Sequence, residues 1–321
     1  MKILYISNNA SFSDHEEIRT RDHKLFFFKE EGHDVLALGK YDILRFYSYY
    51  KKFKPDLVVS SWVPAGFVPA FLKKIGIIKI PLVHCWDDYY QIQMTNYPSL
   101  LVGFLEKFTV KNADVITTIS RYNESKARDM KKEVYFIPNG VDPRIKKSKI
   151  NLDYLKTAEK NLKVVYLGDQ FSKFKKVDKL ILDVKDLKCD LFLLGKINKE
   201  LVPLANKNIH FMGPIKQEEI FNVLKQADIL VNPADMDHNL KTIEYIRAGR
   251  PIIMMDGKSR YIFEHKKNAF LTNDLADGLK VLIGDEKLRE ELEENVKKIP
   301  TMTWKEVADA HLKIYSKIIG F

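Results

Sequence analysis

Short β-rich runs alternate with stretches of helical spacing along almost the whole of this chain, and no other feature restricts its fold as much. In the first half the runs are Lys2–Ser7, Asp34–Leu38, Leu57–Ser60, Leu82–Cys85, Val115–Ile119 and Val134–Ile137. In the second they are Lys163–Leu167, Cys189–Leu194, Ile209–Met212, Ile229–Val231 and Ile252–Met255. Amphipathic patterns such as Thr20–Glu31 and Tyr97–Lys111 lie between them. Strands separated by helices predict parallel sheets wrapped by helices, an α/β architecture. At 321 residues the chain exceeds one ordinary core and suits two domains of roughly 150 residues each. The expectation is therefore two doubly wound, Rossmann-like units, joined through the Pro- and Lys-rich segment IPNGVDPRIKKSK (137–149).

Composition narrows the class. Hydrophobic residues make up 45% and charged residues 30%, as in soluble globular proteins. The only cysteines, Cys85 and Cys189, rule out a disulfide framework and fit a reducing, cytoplasmic compartment. MKILYIS reads as a first strand rather than a signal peptide. The most apolar long stretch, Val63–Val83, is interrupted by Lys73, Lys74 and Lys79, so no transmembrane helix is expected. Of the net charge of +10, a surplus of seven falls in residues 1–150, where 24 Lys and Arg face 17 Asp and Glu. Such a surplus suits nucleic acid, an anionic membrane or a phosphorylated substrate, and does not choose among them.

Some nucleotide chemistry is excluded. Ligands of doubly wound sheets sit at the carboxyl ends of strands, yet the first loop, NNASFSDHEEIRTR, contains no glycine, which argues against a dinucleotide fingerprint. DGKS at 256–259 mimics the end of a phosphate-binding loop, but that pattern needs glycine where Ile252 stands.

Three places in the second half carry candidate chemistry. In YLGDQFSKFKKVD (166–178) a strand ends at Gly168, and a loop bearing Lys173, Lys175 and Lys176 leads into a helix near Val177, a pattern suited to a diphosphate or equally to a solvated lysine run. FMGPI (211–215) ends a strand at Gly213-Pro214, where backbone groups can meet a base edge or simply turn. In NLKTIEYIRAGRPII (239–253), a helix opening at Asn239 and Leu240 directs free N–H groups and Lys241 at phosphates, and Glu244 can accept from two ribose hydroxyls. The competing reading of Lys241 and Glu244 is a surface ion pair worth a few tenths of a kcal/mol.

In this order, PLVHCWDDYY, LEKFTVKNADVITTIS, VYFIPNGVD, YLGDQFSKFKKVDKL, QADILVNPA, IEYIRAGRPII and TWKEVADAHLKIY resemble the family 4 retaining glycosyltransferases of the GT-B fold, over nearly the full length. The Lys241-x-x-Glu244-Tyr245 form is similar to members that transfer glucuronic acid or other sugars to lipid-linked acceptors. The resemblance implies two Rossmann-like domains facing a cleft. Residues 1–145 would form the acceptor-side domain, with the helix 304–321 crossing back to it, and 146–303 the nucleotide-sugar domain. It implies donor contacts from Gly168, Lys173, Lys175, Gly213, Asn239, Leu240, Lys241 and Glu244. Where relatives carry a catalytic histidine this chain has Asp87, with Asp88 beside it, and these are the catalytic candidates. Arg19, Arg21, His23, Asp235 and Asp237 are candidate acceptor or sugar contacts. The chain departs from the family at Asp169, where a phosphate arginine is usual, and at Met236, where a glutamate is usual.

The implied activity is retaining transfer of a sugar from a UDP- or GDP-sugar to a lipid-linked or glycan acceptor, without cofactor or essential metal. A nucleotide-sugar epimerase or a non-catalytic sugar-nucleotide-binding protein could use the same scaffold. Nucleic-acid binding has only charge behind it, with no recognisable module. RFYSYYKKFK (45–54) and FVPAFLKKIGIIK (67–79) interleave aromatic or apolar residues with basic ones, which suits peripheral attachment to an anionic membrane on its cytoplasmic face.

Overall fold

Each half of the chain builds one six-stranded, fully parallel sheet. The computed structural model describes residues 1–7, 23–94, 97–141, 154–156, 161–237 and 239–320. It divides into one unit of Met1–Gly140 with Met302–Phe321 and another of Val141–Thr301.

In the first unit the strand order is Asp34–Leu38, Lys2–Ile6, Leu57–Ser61, Leu82–Cys85, Val115–Thr118, Glu133–Phe136. Leu4, Ile6, Val58, Leu82 and Ile116 join one continuous core with residues of the flanking helices. The terminal helix Trp304–Ile319 starts in a capping box, Thr303 accepting from the Glu306 N–H at 3.2 Å while the Glu306 carboxylate accepts from the Thr303 N–H at 2.6 Å. It packs along the helix His23–Glu30 through Phe28 and Tyr315, whose ring centroids are 5.8 Å apart, and through a Lys305–Glu31 ion pair at 2.7 Å.

In the second unit the order is Ile209–Gly213, Cys189–Leu194, Leu162–Leu167, Ile229–Asn232, Ile252–Met255, Phe270–Thr272. The last strand was not among the expected ones; it is three residues long and, among the described residues, pairs only with Ile252–Met255. Side chains alternate between two cores. Val164, Tyr166, Leu191, Leu193, Ile229, Val231 and Ile253 enter one, while Val165, Phe192, Leu194, Leu230, Ile252 and Met254 enter the other. A sheet buried on both faces needs apolar residues at successive positions, which is why these strands appear as unbroken apolar runs. Among the described residues no helix is long and apolar enough to cross a membrane.

The helix Val177–Val184 packs into the first of these cores and the helix Leu240–Ala248 into the second. The connections leaving the two central strands therefore go to opposite faces, and the strands separate at their carboxyl ends. Their ladder holds only Val164 opposite Ile229 and Val165 opposite Leu230. Beyond it the Tyr245 hydroxyl takes over, accepting from the Leu167 N–H at 2.9 Å and donating to the Val231 carbonyl at 3.1 Å. Tyr245→Phe strips both backbone groups of their partner, and such losses cost about 1–3 kcal/mol. A urea midpoint equal to that of the parent protein would overturn this account of the sheet.

Candidate active site

In a doubly wound sheet the ligand crevice lies where the strand order reverses, outside the carboxyl ends of the strands. In the second unit that point falls between Leu162–Leu167 and Ile229–Asn232. The loop 168–176 and the start of the helix Leu240–Ala248 with its cap Asn239 meet there, and together they contain all the donor-contact candidates except Gly213.

Backbone forms one wall. Gly168 donates its N–H to the Leu194 carbonyl, and Gly195 donates to the Gly213 carbonyl, each at 2.8 Å, so the sheet continues into three glycines with φ of +144°, +137° and +77°. A Cβ on Gly195 would lie 2.2 Å from the Gly168 oxygen. Only glycine permits this approach. Gly195 was absent from the sequence candidates, although its place after an apolar run repeats that of Gly168.

The first loop is held by Asp169. Its carboxylate accepts from the N–H groups of Phe171 and Ser172 at 3.0 and 3.1 Å and from the Ser172 hydroxyl. Burial works to raise the Asp169 pKa, but the Ser172 and Phe171 donors and the Lys175 ammonium hold it below the usual carboxylate range. Lys175 lies 3.7 Å from Asp169 and is largely covered, whereas Lys173 is exposed. Asp169, where the resemblance led to the expectation of an arginine, thus secures the loop that presents Lys175.

Asn239 caps the opposing helix, its side-chain oxygen accepting from the Thr242 N–H at 3.0 Å and the Thr242 hydroxyl at 2.7 Å. The first helical residues, Leu240 and Lys241, then present N–H groups at the positive end of the helix. Lys241 is only 7% exposed, and its ammonium has no hydrogen-bond partner among the described residues. It sits 4.0 Å from the Tyr166 ring centroid. Burial, and then the nearby Lys175 ammonium, push the Lys241 pKa well below its usual value, while Asp169 and Glu244 act in the opposite direction. The surface-ion-pair reading of Lys241 and Glu244 is therefore set aside. The side-chain amide nitrogens of Asn232 and Asn239 are also buried without acceptors among the described residues. Three buried donors at one strand reversal form a place for a ligand rich in acceptors, above all an anion.

The remaining candidates of this unit are placed differently. Asp235 accepts from the Lys258 N–H at 2.6 Å and from its ammonium at 2.9 Å, so it anchors the turn after Ile252–Met255. Asp237 is fully buried and Glu244 partly so.

In the first unit Asp87 is 3% exposed and lines a pocket with Lys24, Thr118, Asn139, Trp304 and His311. The pocket is partly open, and its interior has room for a water-sized group such as a hydroxyl. Lys24 donates to the Cys85 sulfur at 3.6 Å and lies 5.7 Å from the Tyr5 ring centroid. His311 meets the Tyr315 hydroxyl at 3.3 Å. Burial, and then the Lys24 charge, keep the His311 imidazole well below its ordinary pKa. Neither Lys24 nor His311 was a site candidate, although His311 lies within TWKEVADAHLKIY, and only folding brings the terminal helix to this place. Asp88 is half-buried, its carbonyl accepting from the Asn123 side chain at 3.4 Å. Arg19 and Arg21 lie outside the described residues, as does the side chain of His23, whose backbone opens the helix His23–Glu30.

Comparison with known proteins gives this geometry a context. Residues 5–145 match the family model described as Glycosyltransferase Family 4, and residues 161–285 the one described as Glycosyl transferases group 1. An uncharacterized glycosyltransferase of Methanocaldococcus jannaschii is 25% identical over 284 residues, 82% of this chain and 76% of the relative. A sucrose-phosphate synthase structure from Thermosynechococcus elongatus superimposes with a TM-score of 0.78 at 16% identity, covering 99% of each chain. The Anabaena protein HepE, in complex with UDP-glucose, gives 0.71 at 15% identity, covering 99% of this chain and 100% of that one. Both structures share the GT-B fold with this chain.

The unpartnered ammonium has a measurable cost. Because the folded pKa of Lys241 is depressed, the folded protein binds fewer protons than the unfolded chain between that pKa and about 10.5. The cost is full below the folded pKa and disappears as pH climbs through 10.5. Lys241→Met should therefore unfold at higher urea than the parent near neutral pH, with the gap closing toward about pH 10. A variant less stable than the parent at both pH values would show that the ammonium is no burden.

Proposed function

We propose that this glycosyltransferase, built from a family 4 and a group 1 domain, moves a sugar from a UDP-sugar to a lipid-linked or glycan acceptor with retention of anomeric configuration. The single observation that carries the donor reading is the buried, partnerless Lys241 ammonium at the strand reversal of the second unit. A nucleoside diphosphate supplies the missing partner. Lys241, Lys175 and the Leu240 and Lys241 N–H groups hold the diphosphate, Glu244 accepts from the ribose hydroxyls, and backbone near Gly213 meets the base. UDP is favoured over GDP because HepE, of the same fold, is seen with UDP and UDP-glucose. The Lys241-x-x-Glu244-Tyr245 arrangement keeps a uronic acid among the candidate sugars.

As the bond between the sugar and the diphosphate breaks, negative charge builds on the leaving group. Fixed cations and helix-end dipoles stabilise it there more than in the ground state, which lowers the barrier. The leaving diphosphate also lets Lys241 stay protonated, since an adjacent anion raises its pKa. Asp87 orients or deprotonates the acceptor hydroxyl in the pocket of the first unit, which neutral His311 and Asn139 also line. The transfer is assigned no metal, and the protein is placed on the cytoplasmic face of a membrane.

Thermal unfolding with UDP, GDP and their sugars tests the donor. At one hundred times its dissociation constant a ligand adds about 2.7 kcal/mol. Glu244→Ala should weaken UDP by roughly ten- to a hundredfold, as expected for lost hydrogen bonds to a charged group, and 2′-deoxy-UDP much less. Equal losses for both nucleotides would take Glu244 off the ribose. Release of free UDP only in the presence of an acceptor marks a transferase, whereas an isomerised donor formed without acceptor would replace this function by epimerisation.

A further inference from the structure

We infer that the first unit docks on an anionic lipid surface through one aromatic face, formed by the helices Val63–Lys74 and Ser99–Asn112. The inference rests on the lipid-linked acceptor proposed above and names the surface that would bring the enzyme to it. The two segments singled out in the sequence divide differently once folded. In RFYSYYKKFK, Phe46 is fully buried and stacks on Tyr50, so part of that pattern is core. FVPAFLKKIGIIK keeps Phe71, Ile75 and Ile77 exposed, and its neighbouring helix, read in the sequence as amphipathic but not as a membrane segment, extends the face with Leu100 at 89% and Phe104 at 60% exposure.

The face is continuous across the two helices. Phe71, Phe67, Phe108 and Phe104 form a chain of ring contacts with centroid separations of 6.2, 5.1 and 6.1 Å. On the second helix Leu100, Phe104, Phe108 and Lys111 follow helical spacing, so one stripe carries leucine and phenylalanine and ends in lysine. Lys74 lies 5.1 Å from the Phe108 ring centroid, and Lys79, Lys107 and Lys111 are exposed. A water-soluble monomer seldom displays so many large apolar side chains together. The basic border selects the occupant: rings enter the boundary between headgroups and acyl chains while lysines meet anionic headgroups, each group keeping its preferred solvent. A second copy of this chain would set the same lysines against one another.

Co-sedimentation of the full chain with vesicles of phosphatidylcholine alone, and of phosphatidylcholine with phosphatidylglycerol, tests the surface. Binding should be strong only with the anionic lipid and fall as salt is raised. The double substitution Leu100→Ser, Phe104→Ser should weaken it by at least about tenfold. Lys74→Glu with Lys107→Glu should remove the preference for phosphatidylglycerol. All variants should keep the UDP-induced thermal shift and transfer to a water-soluble acceptor. Loss of those readouts in the parent protein would overturn the enzymatic reading instead. Equal sedimentation by parent and variants overturns the surface, as does a dimer, detected by light scattering, that Leu100→Ser, Phe104→Ser dissociates.

Discussion

The reversal of strand order in the second sheet is the constraint from which its chemistry follows. Two adjacent parallel strands whose connections leave to opposite faces must part at their carboxyl ends, and the parted ends expose backbone groups that need partners. Tyr245 supplies them, its hydroxyl standing between Leu167 and Val231 where another ladder rung would be. That tyrosine lies on the same short helix as Lys241 and Glu244. Closing the gap therefore fixes the helix, and the fixed helix holds an ammonium and a carboxylate at the crevice. Structure and site are secured by one contact.

Burying an ammonium without a partner is a cost that sequence patterning alone would select against. The neighbours increase it, since Lys175 adds like charge and Asp169 spends its acceptors on Phe171 and Ser172. A fold retains such a group where something outside the chain completes it. The Tyr166 ring offers partial compensation, as a cation held over an aromatic face keeps some of the stabilisation lost with water.

Much of this was legible before folding, for physical reasons. Strands buried on both faces must be apolar at successive positions, so Cys189–Leu194 and Ile252–Met255 could be read with their boundaries. The helix opening at Asn239 was legible because capping chemistry is local. Phe270–Thr272 escaped because three residues on a sheet edge cannot show a period. The partners of a side chain are not local either. Asp235 looked free to meet a sugar, yet Lys258, 23 residues onward, occupies both its oxygens. Asn232, which no sequence pattern marked, gained interest only when its amide nitrogen proved buried without an acceptor among the described residues.

The two units contain the same device in different electrical settings. Each buries a lysine near the face of a tyrosine from its own first strand, Lys24 by Tyr5 and Lys241 by Tyr166. In the first unit the pocket that contains Lys24 also contains the Asp87 carboxylate, and Lys24 has the Cys85 sulfur as a weak acceptor. Opposite charges already share that space, so a neutral hydroxyl enters at less cost than an anion. In the second unit Lys241 has no hydrogen bond among the described residues, and Lys175 acts on it more strongly than either Asp169 or Glu244 does. A buried donor left without an acceptor favours an anion. In the proposed reaction charge, more than shape, separates the roles of two similar sheets, the diphosphate going to the unit whose lysine lacks a hydrogen bond and the hydroxyl to the unit whose lysine shares its pocket with a carboxylate.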